Sequence, residues 1–392
     1  MDAYDERLAA ELKQLEAEGN LRRLDDLILQ GKHIIHQGRK YLNFSSNDYL
    51  GLTSRSPEEI SWQEGFYLNN LLQHDWENGE CLMSNPSSRL MTGNSIHYAR
   101  LENALCEFFG DGVSALVLSS GFMANAGVLP ALTGKGDLIL ADKLAHASLI
   151  DGLRLGSAEW KRFHHNDMNH LESLLQKAQG YRTVWVATES IFSMDGDLAP
   201  IAELIRLKEK YGFKLYLDEA HAFGVSGPGG RGIAAACKAD AQCDIRMATF
   251  GKALASAGAF VLCDALTRQY LVNKMRTLIF STALPPVTLM WSAYLLRKLP
   301  SFHSKRKHLR SLVSLLAREL GIPAQSHIIP LHAGSNEQAC AMARQGRERG
   351  YWLTPIRHPT VPQGTARIRL SLTAALSETD ILNFASACKG IG

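Results

Sequence analysis

At 392 residues, 46% hydrophobic and 21% charged, the chain has the make-up of a folded globular protein with room for two or more cores, which excludes disorder as the default state. Its 42 basic and 39 acidic residues are well mixed, and a net charge of +3 offers no one-signed field for nucleic acid or a membrane surface. No apolar run approaches the roughly 20 residues that span a bilayer, and charges from Asp2 onward exclude a signal-peptide core, so a cytoplasmic protein acting on small molecules is expected.

Seven cysteines, at 81, 106, 237, 243, 263, 340 and 388, are odd in number and never spaced C-x-x-C. They predict reduced, mostly buried thiols, and neither a disulfide framework nor a metal site.

In chain order, residues 4–18 predict an amphipathic helix with Leu8, Leu12 and Leu15 on one face, which must dock on something. The polar stretch 31–40 leads into Tyr41-Leu42-Asn43-Phe44-Ser45-Ser46-Asn47-Asp48-Tyr49-Leu50-Gly51-Leu52, read as a strand and loop. From about residue 98, helical and strand patterns alternate: Leu101, Ala104, Leu105 and Phe108 share a helical face, and 115–118 is an apolar run. Further strands are predicted at 137–141, 183–188, 213–217, 245–249 and 258–263, with helices such as 201–211 between several of them. Short apolar strands separated by helices predict an α/β fold, a mostly parallel sheet covered by helices.

Beyond Pro285-Pro286 come a long helical region, a short strand near 327–331 and a strand at 366–372, where Ile368, Leu370 and Leu372 alternate with Arg367, Arg369 and Ser371. The last helix starts at Ser377, whose spacing to Asp380 resembles a capping box. The chain thus divides into an N-terminal helix and strand segment (1–50), a large domain (51–290) and a smaller α+β C-terminal domain (291–392). The basic run Ser304-Lys305-Arg306-Lys307-His308-Leu309-Arg310 reads as a solvated helix face, with contact to coenzyme A phosphates as the lesser alternative.

Chemistry enters where strands end. The run Phe213–Leu217 stops at Asp218-Glu219-Ala220-His221, which places Asp218 at the carboxyl end of a central strand, where open α/β sheets bind ligands. Lys252 follows another strand in Thr249-Phe250-Gly251-Lys252, with Ala253, Ala255 and Ala257 leaving room around it. A lysine with space beside it can form a Schiff base, and a carboxylate can keep a pyridine nitrogen protonated, which is the pair that pyridoxal 5'-phosphate (PLP) requires. His221 could then bond the cofactor's phenolic oxygen, and His146 could stack on its ring. Ser119-Ser120-Gly121-Phe122-Met123 follows a strand and opens a helix, whose first N–H groups can seat a phosphate.

Taken singly, each residue has a plain structural reading: Asp218 as a helix cap, His146 and His221 as satisfied histidines, Lys252 as a surface lysine. Their order at the ends of one sheet points to the cofactor. A nucleotide-binding reading of the same alternation lacks the G-x-G-x-x-G fingerprint after 115–118.

With these residues in hand, the chain from about residue 41 to the end resembles the α-oxoamine synthases, PLP enzymes of the aspartate aminotransferase fold (fold type I). The likeness rests on Asn43–Leu52, Ser190-Ile191-Phe192-Ser193-Met194-Asp195-Gly196-Asp197, Asp218–His221 and Thr249–Lys252. The segment Ile356-Arg357-His358-Pro359-Thr360-Val361-Pro362-Gln363-Gly364 favours the branch that serves biotin biosynthesis.

The resemblance implies that His146 stacks on PLP, Asp218 meets its ring nitrogen, Ser193 and His221 contact its phenolic oxygen, and Lys252 carries it. Thr249 and Gly121-Phe122 would hold phosphate, and Thr282 would reach the phosphate of the neighbouring subunit in a homodimer. Asn47, Arg357 and Arg369 would lie near the substrate carboxylate. The implied reaction condenses L-alanine with a pimeloyl thioester, on coenzyme A or an acyl carrier protein, releasing carbon dioxide and thiol. The same core machinery would serve the glycine C-acetyltransferase, 5-aminolevulinate synthase and serine palmitoyltransferase types.

For the far carboxylate of a pimeloyl group, the sequence offers Arg22 and Arg23, which could equally be solvated surface residues. Two departures stand out. Residues 61–93 are unusual in content, with Gly93 the one glycine of 85–93, and the residues after Lys252 are alanine-rich where relatives tend to have glycine.

Overall fold

The computed structural model describes residues 2–53, 79 and 82–388, so most of the unusual 61–84 stretch, with Cys81, lies outside the described residues. The chain divides into a larger unit, Pro57–Phe192 with Leu198–Arg306, and a smaller one, Met1–Ser56 with Ser193–Asp197 and Lys307–Gly392. Among the described residues no helix is long and apolar enough to cross a membrane.

The smaller unit opens with helix Ala3–Ala17, whose first N–H groups at Tyr4 and Asp5 are accepted by the Asp2 carboxylate. Leu8, Leu12 and Leu15 do share a face, yet they stay 36%, 53% and 40% exposed, and no residue of the helix is buried. The chain continues through β1 (Ile28–Gln30), β2 (His33–His36) and β3 (Arg39–Asn43), an antiparallel meander.

The larger unit is built on seven strands: β4 (Ser114–Leu118), β5 (Asp137–Asp142), β6 (Glu159–Phe163), β7 (Thr183–Glu189), β8 (Lys214–Asp218), β9 (Ile245–Thr249) and β10 (Ala259–Cys263). Their order is β4-β10-β9-β8-β7-β5-β6. From β9 to β6 every pairing is parallel, as the alternating pattern predicts, while β10 runs antiparallel to both β4 and β9. Alternate residues of the strands, such as Leu116, Ile139, Trp185, Tyr216, Met247 and Val261, join one core with Ala124, Val128 and Leu129 of helix Gly121–Leu132 and Leu149, Ile150 and Leu153 of helix Ala147–Leu155. These two helices approach closely because Gly152 has no side chain: a Cβ there would lie 2.5 Å from the Asn125 carbonyl oxygen.

In the smaller unit, β12 (Tyr351–Trp352) joins β3 in parallel, and β11 (Ile328–Gly334), β14 (Ala366–Ser371) and β13 (Pro355–Ile356) form a second, antiparallel sheet. Phe44 stacks on Phe384 with ring centroids 4.0 Å apart, which seats the last helix, Glu378–Cys388. That helix carries the expected cap: Ser377 Oγ accepts the Asp380 N–H, and the Asp380 carboxylate accepts the Ser377 N–H and O–H. Gly196, at φ +70°, belongs to this unit, and a Cβ there would overlap the Ile328 carbonyl oxygen, which accounts for glycine in the Met194-Asp195-Gly196-Asp197 turn.

Two expectations need correction. The run 304–310 is not uniformly a solvated face: Arg306 is 3% exposed and donates to the carbonyls of Leu299 and Pro300, because its guanidinium satisfies the turn before its own helix. Of the six described cysteines only Cys263 is fully buried, and Cys237 is exposed.

Glu219, just after β8, is 3% exposed, and its carboxylate accepts the N–H groups of Ala234 and Ile233. Burial outweighs these donors and nearby Arg246, and lifts its pKa from 4.5 to about 7. Between those values the folded chain holds a proton that the unfolded chain has released, so this contribution is complete below 4.5 and is lost as pH rises through about 7. The loss is on the order of 3 kcal/mol. Urea unfolding of wild type and Glu219→Gln from pH 5 to 7.5 should show the fall in wild type and a flatter profile in the variant; equal slopes would rule out a buried, protonated Glu219.

Candidate active site

Five strand ends share one edge of the larger unit's sheet. Leu118 of β4 and Thr249 of β9 both pair with Ala259 of β10, while Asp218 of β8 pairs with Glu189 of β7 and Met247 of β9. Helix Gly121–Leu132 begins here, with Ser120 as its cap accepting the Met123 N–H at 3.2 Å. Its opening N–H groups have no partner within the helix and its dipole favours an anion. Thr249 is beside it: a Cβ at Gly121 would lie 3.7 Å from the threonine Cβ. The Thr249 hydroxyl donates to the Gly258 carbonyl at 2.9 Å and accepts the Gly251 N–H at 3.1 Å. Phe122 is half exposed at this mouth.

Lys252 sits in the turn that Thr249 pins. Its Nζ lies 2.8 Å from Nε2 of His221, a buried histidine. The turn is closed by Ala255 N–H on the Lys252 carbonyl and Ser256 N–H on the Phe250 carbonyl. Ala255 takes φ +46°, where a glycine would be at ease, at a cost of about 1–3 kcal/mol.

Asp218 is 4% exposed, and both of its oxygens are met: Oδ1 by the Ala220 N–H and Oδ2 by Asn125 Nδ2, each at 2.8 Å. His146 caps helix Ala147–Leu155, its Nδ1 2.7 Å from Ser148 Oγ and accepting the Ser148 N–H at 3.2 Å. His146 is exposed as a residue, and desolvation by the chain around its ring lowers its pKa; the Asp218 charge opposes this and the Lys252 charge adds to it. Glu189, beside Asp218, is fully buried, and its carboxyl is pushed well up, first by burial and then by the Asp218 charge.

The remaining expected residues divide between the two units. Thr282 is in the larger unit, exposed, with its carbonyl accepting from Ser119 Oγ at 3.2 Å. In the smaller unit, Arg369 donates to the Ser193 carbonyl, to Asn47 Oδ1 at 3.2 Å and to Tyr49 OH at 3.4 Å, so Asn47, Ser193 and Arg369 are brought together. Arg357 is placed with Arg22 and Arg23 instead: all three line a cavity of about 1170 Å³ with Arg344, Arg347 and Thr360. Arg22 donates to Thr360 Oγ1 at 3.2 Å, Arg23 faces Glu16 at 3.6 Å, and Arg357 donates to the Gly19 carbonyl.

Sequence reasoning missed Asn125, Ser148, Glu189 and Tyr216. One signal was available: Asn125 is the only polar side chain in the helix Gly121–Leu132 and is 2% exposed. A lone buried amide needs partners.

The chain matches the family model of the class I and II aminotransferases over residues 39–387. It is 48% identical to the 8-amino-7-oxononanoate synthase of Haemophilus ducreyi, over 97% of this chain and 99% of that one. With the 8-amino-7-oxononanoate synthase of Chlorobaculum parvum the identity is 44%, over 99% of each. Among solved structures, the serine palmitoyltransferase of S. paucimobilis with bound PLP-myriocin aldimine is 27% identical, with a TM-score of 0.88 over 100% of both chains.

At Asp218 an amide would present two N–H donors where the carboxylate presents only acceptors, so with Asn125 in its observed orientation Asp218→Asn sets an N–H against either Ala220 N–H or Asn125 Nδ2. The variant should fold and lose about 1–3 kcal/mol in urea unfolding, the cost of one unsatisfied buried group. Unchanged stability would mean that Asp218 is not held by both donors.

Proposed function

The chain belongs to the class I and II aminotransferases and, within them, to the group of the 8-amino-7-oxononanoate synthases, and from this premise we propose the reaction it performs. It is a PLP-dependent enzyme that condenses L-alanine with a pimeloyl thioester, on coenzyme A or an acyl carrier protein. The products are 8-amino-7-oxononanoate, carbon dioxide and the free thiol, within biotin biosynthesis. It works in the cytoplasm as a homodimer, in which Thr282 reaches the partner's cofactor phosphate.

The observation that carries the reading is the 2.8 Å approach of Lys252 Nζ to His221 Nε2 on one sheet edge with the buried Asp218. This donor set fits PLP: a carboxylate for the ring nitrogen, an amine to carry the cofactor, an imidazole at His146 to cover a ring face, and a helix N-terminus at Gly121-Phe122 for the phosphate. When bound, PLP supplies an electron sink for negative charge at the alanine α-carbon.

With the cofactor bound, Asp218 would keep its ring nitrogen protonated, and His221 and Ser193 would meet its phenolic oxygen as the family resemblance implies. Lys252 Nζ takes the α-proton of alanine; the α-carbon then bonds to the thioester carbonyl carbon and the thiolate leaves. Loss of the alanine carboxylate as carbon dioxide follows, and Lys252 returns a proton to the α-carbon. Arg369, kept in place by Asn47, binds the amino-acid carboxylate as a charge-assisted pair. Arg22 and Arg23, with Arg357 in the same cavity, await the far carboxylate of the pimeloyl chain.

A long-chain acyl donor with serine is the second reading, favoured by the TM-score of 0.88 to serine palmitoyltransferase. The 48% identity to an 8-amino-7-oxononanoate synthase, against 27%, supports the first. Thiol release measured across a matrix of amino acids and acyl thioesters should peak at alanine with the pimeloyl donor, and a peak at serine with palmitoyl would replace it.

Lys252→Ala should have no measurable turnover, and borohydride should fix cofactor to the wild-type chain but not to the variant; a mass increment in the variant would move the carrier lysine elsewhere. Arg22→Ala, Arg23→Ala and the double variant should lose about 1–3 kcal/mol of kcat/KM for the pimeloyl donor in at least one case, the worth of a charge-assisted hydrogen bond, with alanine affinity unchanged. Unaltered kcat/KM in all three would take this segment out of the site.

A further inference from the structure

Asn125 stands at the centre of a buried network that the proposed reaction leaves without a role. Its amide orientation is dictated by what surrounds it. Tyr216 OH donates to Asn125 Oδ1 at 2.6 Å, and the amide nitrogen donates to Asp218 Oδ2 at 2.8 Å and to Ser148 Oγ at 3.0 Å. The flipped amide would set Oδ1 against a carboxylate oxygen, acceptor against acceptor, so the observed orientation is the satisfied one.

The consequence runs on to His146. Ser148 Oγ accepts from Asn125, which leaves its own hydrogen for His146 Nδ1 at 2.7 Å. The Ser148 N–H points at the same nitrogen. Nδ1 therefore acts as an acceptor from two donors, which places the imidazole proton on Nε2 and keeps the ring neutral. Burial, which lowers the His146 pKa, acts in the same direction. Asn125, Ser148, Tyr216 and Asp218 are all 4% exposed or less, so water does not compete for the bonds among these four.

We propose that Asn125 is a positioning residue that fixes the Asp218 carboxylate and, through Ser148, the tautomer and ring orientation of His146. It couples the group that meets the cofactor's ring nitrogen to the group that covers its ring. The inference rests on the cofactor assignment made above and adds to it residues that touch no reacting atom.

The test is a double-mutant cycle on the full-length protein, reading the dissociation constant for PLP and the visible absorption band of the bound cofactor. Asn125→Leu keeps nearly the same volume without donors. It should weaken PLP at least tenfold and shift the band, as should Asp218→Asn. The double variant should be no worse than the weaker single by more than about twofold, because both changes break one arrangement. Tyr216→Phe and Ser148→Ala should give smaller shifts of the band in the same direction.

Wild-type affinity and an unshifted band in Asn125→Leu would overturn the proposal, as would effects of the two changes that simply multiply. Should Asn125→Leu not fold, Tyr216→Phe and Ser148→Ala carry the test, and an unshifted band in both would overturn it equally. A wild-type chain that takes up no PLP and shows no visible band would instead overturn the cofactor assignment itself.

Discussion

A charge buried at a strand end is tolerable only where its hydrogen-bonding positions are filled, and at Asp218 the filling comes from two directions. One donor, Ala220 N–H, belongs to the turn that follows β8; the other, Asn125 Nδ2, belongs to the helix that follows β4. The spacing between that helix and the sheet is therefore set by a hydrogen bond as well as by Ala124, Val128 and Leu129 in the apolar core. The adjoining helix, at whose start His146 and Ser148 sit, is locked to it by the absence of a Cβ at Gly152. Packing and chemistry are coupled here: a shift in either helix would move the carboxylate's donor and the histidine's partner together.

Much of this was legible in the sequence for a simple reason. Strands buried on both faces read as short apolar runs, and the residue type that ends such a run is conspicuous, so Asp218 after Leu217 and Lys252 after Thr249 stood out. The cap at Ser377 and Asp380 was equally plain, because its partners are three residues apart. What could not be read were relations between distant segments. Nothing in Phe260-Val261-Leu262 distinguishes a strand running antiparallel to its neighbours from one running parallel, and the direction of β10 follows only from its register with Leu118 and Thr249. Asn125, Ser148 and Tyr216 take on meaning only once helices and strands far apart in sequence bring them within 3.0 Å. Arg306 looked like one more charge in a basic run, and its burial depends on two carbonyls that a sequence pattern does not display.

The smaller unit poses a related question, since β14 buries both of its alternating sets of residues. Its apolar set, Ile368 and Leu370, needs no explanation, but Arg367 and Arg369 are 4% and 8% exposed on the other set. Their partners differ in kind. Arg367 is paired with the Asp195 carboxylate, so its charge is balanced inside the fold. Arg369 is held by the Ser193 carbonyl, an amide and a phenol, all neutral acceptors that orient the guanidinium. The same turn, Ser193–Asp197, serves both arginines, and Gly196 fits it against the Ile328 carbonyl. Two arginines of one strand thus separate into one held by a carboxylate and one held by neutral acceptors.

Lysine presents the opposite problem, because a side chain with about 2 kcal/mol of rotamer entropy does not hold its amine in one place by itself. Here the backbone supplies the order. The loop from Phe250 to Gly258 is closed by Phe250 N–H on the Gly258 carbonyl, Ser256 N–H on the Phe250 carbonyl and Ala255 N–H on the Lys252 carbonyl. Trp291 Nε1 adds a bond to the Ala255 carbonyl at 3.2 Å. Ala255 is forced to φ +46° by this closure, and the strain persists because the surrounding bonds over-determine it. An alanine at that position also narrows the conformations open to the unfolded loop compared with glycine, which returns part of the cost. The turn therefore gives up local stability to deliver Nζ to His221, and it does so with a stiffer loop than glycine would allow.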